Sequence, residues 1–192
     1  MVKTITRDQL EKDVKNLDLV IIVGMSASGK SYFSRDLAKK TGVNLIEVDK
    51  LIEKFKNVFP EGLDLMELYQ PNKYPKQKEE LIKDIKNAMK GHNIVDGRFW
   101  DPKMIKELIR GKTYKLIYLK PPKKSEYTNR IKKRVLESEI GNVLMKNEVL
   151  GMKNDKAVNF FVNEIVNNKL NGMNEELKVF EPFNLSVLVL KN

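Results

Sequence analysis

The chain has 192 residues, of which 41% are hydrophobic and 32% are charged, and these proportions favour one folded globular domain over a disordered chain. It contains no cysteine, which excludes disulfide bonds and thiolate metal sites, and no apolar run is long enough to cross a membrane. The first residues lack the apolar segment of a signal peptide, so we expect a cytoplasmic protein.

The net charge is +10, from 36 Lys and Arg residues against 26 Asp and Glu residues. A basic surface attracts phosphates, whether they belong to nucleotides or to nucleic acid. The lysines are spread along the whole chain, however, and a solvated basic surface is the simpler explanation. Nucleic acid therefore stays open as a partner without being favoured, and the composition does not indicate an oligomeric state.

Predicted strands and helices alternate along the chain, which favours a parallel sheet covered by helices on both faces. The strongest strand signal is the continuous apolar run Leu19–Val23, typical of a central buried strand. The predicted elements are a helix at about 6–16, a strand at 19–23, a helix at 30–40, a strand at 44–48, a helix at 49–58, a loop at 59–74, a helix at 75–90, a strand at 93–96, a helix at 102–110, a strand at 115–119, helices at 125–138 and 155–170, and a strand at 185–190.

The segment after the first of these strands matches a phosphate-binding motif. Gly24-x-x-x-x-Gly29-Lys30-Ser31 fits the Walker A pattern at every fixed position and lies between a buried strand and a helix, as the motif requires. Its glycines let main-chain N–H groups surround a phosphate, Lys30 reaches the β- and γ-phosphates, and the Ser31 hydroxyl binds Mg²⁺. We therefore predict ATP and Mg²⁺ as cofactors, with nucleotide contacts from Gly24, Ala27, Ser28, Gly29, Lys30, Ser31 and Tyr32.

The order of elements around this motif resembles that of the small P-loop kinases over nearly the whole chain. The resemblance implies a single domain of residues 1–192 with a doubly wound α/β fold. It also implies a five-stranded parallel sheet in the order 2-3-1-4-5 and a helical lid at about residues 121–150. The chain lacks the Asn/Thr-Lys-x-Asp element with which a GTPase reads its base, so a GTPase is not indicated.

Asp49 directly follows the second predicted strand of the sheet. Ligands of parallel α/β sheets bind beside the carboxyl ends of the strands, where an Asp can accept the proton of an attacking hydroxyl. An ordinary helix N-cap is an equally good explanation from position alone. The segment Val48-Asp49-x-Leu51-Ile52-Glu53 resembles the one that carries the catalytic Asp of chloramphenicol phosphotransferases, and polynucleotide and zeta-toxin-like kinases also place an Asp here. The resemblance implies that Asp49 is the general base and contacts the acceptor.

Asp96 ends the third predicted strand, in the sequence Ile94-Val95-Asp96-Gly97-Arg98. It is a candidate Mg²⁺ ligand of the Walker B kind, although a polar residue before a turn is the alternative. With a P-loop in the same chain we favour the metal role. Adenylate-kinase-like enzymes and polynucleotide kinases have similar stretches at this point with different spacing. Arg98 is a candidate contact for the acceptor.

A basic helix is predicted after the fourth strand, with Arg130 and Arg134 four residues apart on one face. Two like charges in this arrangement repel each other, so an anion between them would be stabilising. Small kinases use such a pair in their lid to stabilise charge on the phosphoryl group in transfer. A solvated basic helix is the alternative, and we favour the lid.

Several other residues are weaker candidates. His92, the only histidine, has no obvious partner in the sequence and suggests a structural role. Phe99 and Trp100 could stack on a base, although aromatic residues are more often hydrophobic contacts. Tyr69 and Tyr74 are further candidates for acceptor binding.

Together these features predict an ATP- and Mg²⁺-dependent phosphotransferase. If Asp49 is a general base, the acceptor is an alcohol, because the phosphate oxygens of a nucleotide are already ionised. A nucleoside or another small alcohol is then favoured, and a polynucleotide 5′-hydroxyl is the first alternative. A nucleoside monophosphate kinase is a further alternative, and a nucleotide-switched binding protein is the alternative outside the enzymes.

Overall fold

A computed structural model describes residues 3–55, 73–99, 101–138 and 154–189 of the chain. Its strands are β1 (Lys3–Ile5), β2 (Leu19–Val23), β3 (Asn44–Glu47), β4 (Asn93–Asp96), β5 (Tyr114–Leu119) and β6 (Leu185–Leu188). Its helices are α1 (Arg7–Asp13), α2 (Lys30–Thr41), α3 (Val48–Ile52), α4 (Pro75–Ala88), α5 (Pro102–Ile109), α6 (Lys124–Leu136) and α7 (Asn154–Phe180). Short 3₁₀ turns follow α1, α3 and α7.

The strands form one parallel sheet in the order β1–β6–β5–β2–β4–β3. The doubly wound α/β fold is confirmed, and the five predicted strands have the predicted order. The predicted count of five strands was wrong, because β1 adds a sixth strand beside β6. A strand of three residues is too short to show the alternation of apolar and polar residues by which strands are recognised.

β2 lies in the middle of the sheet, and all of its residues are buried. Leu19, Ile21 and Val23 pack on one face against α3, α4 and α5. Val20 and Ile22 pack on the other face against α1 and α2. Because successive residues of a strand point to opposite faces, an uninterrupted apolar run is what a strand covered on both sides requires. The strand that carries the phosphate motif is thus held in the centre of the fold.

The last helix is much longer than the sequence pattern indicates. A helix was predicted near 155–170, whereas α7 continues to Phe180. Gly172 and its asparagine neighbours have low helix propensity, which is why the pattern indicates an earlier end. Phe180 is fully buried in the core beneath the sheet, and Leu177 packs against the same cluster. These tertiary contacts extend the helix past a glycine, and they also bring α7 over the motif after β2.

α6 and α7 pack against each other and enclose a small apolar cluster of their own. Tyr127 and Ile131 of α6 face Val158 and Val162 of α7, and Ala27 from the segment after β2 packs into the same cluster. Residues 139–150 of the predicted lid and 59–72 of the predicted loop lie outside the described residues. Among the helices that the structure describes, none is both long and apolar enough to span a membrane.

Candidate functional site

The Walker A segment forms a tight loop between β2 and α2. Gly24 has φ +140°, and a Cβ atom on it would lie 2.6 Å from the carbonyl oxygen of Leu119 at the end of β5. No other residue type fits at this position without displacing the backbone of the neighbouring strand. Gly29 has φ +101° and is the N-cap of α2, so the positive end of that helix points at the loop. The loop therefore has the shape and polarity of a phosphate cradle.

The Lys30 side chain lies inside this loop rather than at an exposed helix start. Its Nζ donates to the carbonyl oxygen of Met25 at 3.1 Å. Burial lowers the pKa of Lys30 to about 8, and the nearby carboxylates of Asp96 and Asp49 oppose that effect. Lys30 is not freely exposed, because the first turn of α2 is partly enclosed by the loop. A phosphate in the loop would stabilise the charged form of this amine.

Two buried oxygens in this region have no hydrogen-bond partner within the described structure, namely Ser28 Oγ and Asp96 Oδ1. Unpaired buried polar atoms are rare and call for an explanation. Burial raises the pKa of Asp96, and hydrogen bonding by the Ser31 side chain opposes that effect. A hydroxyl and a carboxylate beside a phosphate loop are the donors that Mg²⁺ takes when it binds together with substrate phosphates. Ser28, Ser31 and Asp96 therefore fit a bound Mg²⁺–nucleotide.

Asp49 lies in the first turn of α3, where Glu47 and not Asp49 is the N-cap residue. Together with Ser31 and Asp96 it lines a small cavity of about 130 Å³. Its negative charge raises the pKa of both Lys30 and Asp96. Asp49 is thus beside the residues that fit the metal, at the carboxyl edge of the sheet.

The two arginines of α6 both contact the phosphate loop. Arg130 Nη1 donates to the carbonyl oxygen of Ser28 at 3.1 Å, and its Nη2 forms an ion pair with Glu126 at 2.6 Å. Arg134 Nη1 donates to Ser26 Oγ at 2.8 Å. The pair therefore faces the loop across which a phosphoryl group would be transferred, each guanidinium having its own protein partner.

A second and larger cavity, of about 430 Å³, opens beside the start of the phosphate loop. Its lining includes Gly24 and Ser26 of the loop, Arg98 after β4, and Lys169 and Glu176 of α7. The charges of Arg98 and Glu176 act on the pKa of Lys30, in opposite directions. Lys30 is therefore electrostatically coupled to the residues of both cavities, the small acidic one and this larger one.

The other candidate residues are more dispersed. Tyr32 is 80% exposed on the outer face of α2. Phe99 is fully buried in the apolar core. Tyr74 precedes α4 in a left-handed conformation and packs against that core. His92 Nδ1 lies 2.8 Å from the carbonyl oxygen of Leu17, just before the first residue of β4. Tyr69 and Trp100 lie outside the described residues.

The structure adds three residues that the sequence did not single out. The Tyr127 hydroxyl donates to the carbonyl oxygen of Ser26 at 2.9 Å, and burial raises its pKa to about 12. Lys169 and Glu176 reach the larger cavity from the second half of α7, and Glu176 lies in the part of that helix that was not predicted. No local motif marks these side chains, since their position depends on how α6 and α7 pack over the loop.

Comparison with known proteins places the chain in a family. A family model described as an AAA domain matches residues 19–153. None of the curated proteins matches the sequence. The fold is similar to that of a shikimate kinase from Acinetobacter baumannii in complex with shikimate, with a TM-score of 0.50 and 14% identity over 95% of this chain and 88% of that one. A gluconokinase from Sinorhizobium meliloti 1021 has a TM-score of 0.47 and 14% identity over 90% of this chain and 82% of that one. The chain belongs to the AAA domain family, and it has the fold of the small P-loop kinases that its sequence resembles.

Proposed function

We propose that this chain is an ATP- and Mg²⁺-dependent phosphotransferase that acts on a hydroxyl group of a small molecule. The observation that carries the proposal is that Lys30 adjoins two cavities, because its Nζ donates to Met25, which lines the larger one, and the next residue, Ser31, lines the smaller one. One of them holds the carboxylates of Asp49 and Asp96, and the other has the volume of a small-molecule pocket, for which about 300–1,000 Å³ is usual.

In the proposed reaction the acceptor's hydroxyl oxygen bonds to the γ-phosphorus of ATP while the bond from that phosphorus to the bridging oxygen breaks, and ADP leaves. Asp49 takes the proton of the hydroxyl as general base. Lys30, Arg130 and Arg134 stabilise the charge on the phosphoryl oxygens. Bound Mg²⁺ would supply further charge neutralisation, and Ser31 and Asp96 would hold it.

The nucleotide contacts proposed for Gly24, Ala27, Ser28, Gly29 and Tyr32 are of different kinds. The first four belong to the loop, and their main-chain groups would meet phosphate oxygens. Tyr32 lies on the outer face of α2, so its contact would need the phosphates or the base to extend along that face. We propose that the whole chain, residues 1–192, works as one domain.

ADP release measured with and without an acceptor panel tests the proposal. The panel includes nucleosides, nucleoside monophosphates, sugar acids, neutral polyols and 5′-hydroxyl oligonucleotides. Acceptor-dependent ADP formation with a matching phosphorylated product supports a kinase. Nucleotide binding without any acceptor-dependent turnover would instead support a nucleotide-switched binding protein.

A further inference from the structure

Side chains of α6 hold the phosphate loop through three consecutive main-chain carbonyl oxygens. The Tyr127 hydroxyl donates to the carbonyl oxygen of Ser26 at 2.9 Å. Arg130 Nη1 donates to those of Ala27 and Ser28, at 3.4 Å and 3.1 Å. The proposed reaction gives Arg130 a role, since its charge faces the phosphoryl group, but it gives none to Tyr127. The inference that follows concerns this tyrosine and rests on the proposed function.

The contact of Tyr127 determines where one main-chain N–H group points. The peptide between Ser26 and Ala27 is trans, and in a planar trans peptide the C=O of one residue and the N–H of the next point in opposite directions. The Ser26 carbonyl points toward α6, where Tyr127 binds it. The Ala27 N–H therefore points away from α6, and Tyr127 fixes that direction without touching the N–H itself.

Ala27 has a main-chain conformation that needs support from its neighbours. Its φ is +63°, in the left-handed region, which a residue with a Cβ atom enters at a cost. Left-handed residues are components of the main-chain nests whose N–H groups bind anions. The Ala27 methyl group is buried in the apolar cluster of α6 and α7, which also contains the Tyr127 ring. Tyr127 thus supports Ala27 with its ring and the preceding peptide with its hydroxyl, as strained residues at ligand sites require.

The Tyr127 side chain is suited to hold the loop and not to react. It is fully buried. Burial raises its pKa to about 12, so the hydroxyl stays protonated at neutral pH and remains a donor. A group that keeps its proton cannot act as the general base, and its hydrogen bond to the loop is therefore constant through the reaction.

We propose that Tyr127 is a positioning residue of the nucleotide site, which holds the peptide between Ser26 and Ala27 so that the Ala27 N–H donates to a phosphate of the nucleotide. Without the hydroxyl this peptide can turn and present the Ser26 carbonyl to the phosphates, and a carbonyl oxygen repels them. α6 then serves the site in two ways. Arg130 and Arg134 supply charge, and Tyr127 maintains the shape of the loop.

Binding to Tyr127→Phe tests the inference without any acceptor. Phenylalanine keeps the ring in the apolar cluster and removes only the hydroxyl. Calorimetry with Mg²⁺ compares ADP with inorganic tripolyphosphate, which binds through phosphates alone. We expect both ligands to bind about five-fold or more weakly, by similar factors, because the loss is in the phosphate contacts. Tyr114→Phe is the matched control and should leave both affinities unchanged, since Tyr114 begins β5, at the end of that strand away from the loop.

The outcomes separate positioning from a structural role. If Tyr127→Phe melts at a lower temperature but binds both ligands as the natural chain does, Tyr127 is only structural and the inference fails. If ADP weakens while tripolyphosphate does not, the effect is on the nucleoside and the inference also fails. If the natural chain itself binds neither ligand, the proposed function fails with it.

The Ala27 amide gives a second measurement that needs no variant. In the ¹⁵N-labelled natural chain, ADP with Mg²⁺ should move the Ala27 amide proton downfield, as a new hydrogen bond to a phosphate oxygen requires. Tyr127→Phe should reduce this shift. An Ala27 amide that does not respond to bound ADP in the natural chain would overturn the inference while leaving the proposed kinase intact.

Discussion

Arg130 of α6 donates through Nη1 to the main-chain carbonyl oxygen of Ser28, 3.1 Å away in the phosphate loop. A Cβ atom on Gly29 would lie 2.9 Å from the same nitrogen, so the guanidinium is pressed against the loop. The helix after β5 is thus attached to the phosphate loop by contacts within the protein itself. Charge that develops on the phosphoryl group during transfer would therefore meet an arginine already in place.

We predict that Arg130→Ala and Arg134→Ala each lower kcat by about 10² or more while raising the KM for ATP only a few-fold. The reason is that loss of a donor aimed at developing charge costs more in the transition state than in the ground state. Steady-state kinetics at varied ATP measures both constants. Lys133→Ala is the matched control, because Lys133 is exposed on the same helix and contacts Glu137 only at 3.9 Å. A loss through KM alone would mean that the arginines bind ground-state phosphate.

Lys30→Met should abolish measurable phosphoryl transfer while the protein remains folded. Methionine fills the partly enclosed space of the lysine stem but supplies no charge to the β- and γ-phosphates. Circular dichroism and a thermal melt check the fold, and ADP release checks turnover. Normal turnover in the variant would show that Lys30 does not act on the phosphates.

Asp49→Asn and Asp96→Asn should affect different steps although both residues line the same small cavity. Asp49→Asn should lower kcat by about 10² to 10⁴ with little change in ATP affinity, because the amide cannot accept the proton. Asp96→Asn should instead raise the Mg²⁺ concentration needed for half-maximal activity. Magnesium titrations of both variants separate the two roles. An unchanged kcat for Asp49→Asn would exclude Asp49 as the general base and would favour a nucleoside monophosphate as the acceptor.

The buried ion pair of Lys78 and Asp101 allows a test of stability away from the site. Nζ and Oδ2 are 2.7 Å apart, and each side chain is 6% exposed. Lys78→Met leaves the Asp101 carboxylate buried without its cation and should lower the free energy of unfolding by about 3–5 kcal/mol. The exposed pair of Lys178 with Glu175 is the control, and Lys178→Met should change stability little. Urea unfolding measures the free energy of unfolding of both variants. Equal small effects would show that Asp101 is stabilised by other groups, such as the α5 N-terminus that it caps.

Local patterns in the sequence were enough to predict the phosphate loop and the central strands, whereas the order of the strands was implied by the resemblance to small P-loop kinases. The motif at Gly24 to Ser31 depends on residues that are adjacent in the chain, and the apolar run of β2 reflects burial on both faces. The larger cavity could not be predicted in this way. Glu176 lies beyond the point where Gly172 and its neighbours suggest a helix end, and the helix continues because Phe180 is buried in the core. Lys169 lies within the predicted helix, but its place at the cavity depends on how α7 packs over the loop. β1 was not predicted because a strand of three residues is too short to show the alternation of apolar and polar residues.

The net charge of +10 raises the question whether the basic surface binds nucleic acid, and comparing acceptors at different salt concentrations answers it. A polynucleotide acceptor would contact several phosphates, and each phosphate that the protein neutralises on a single strand adds about 0.7 to the slope of log K against log salt. A small acceptor would make at most a few ionic contacts, so its KM should respond only weakly to salt. We therefore predict that phosphorylation of a small acceptor persists from low to moderate salt, with ATP and Mg²⁺ held constant. We also predict that a 5′-hydroxyl oligonucleotide is neither phosphorylated nor bound under the same conditions. Efficient oligonucleotide phosphorylation that falls steeply with salt would instead identify the basic surface as a nucleic-acid site.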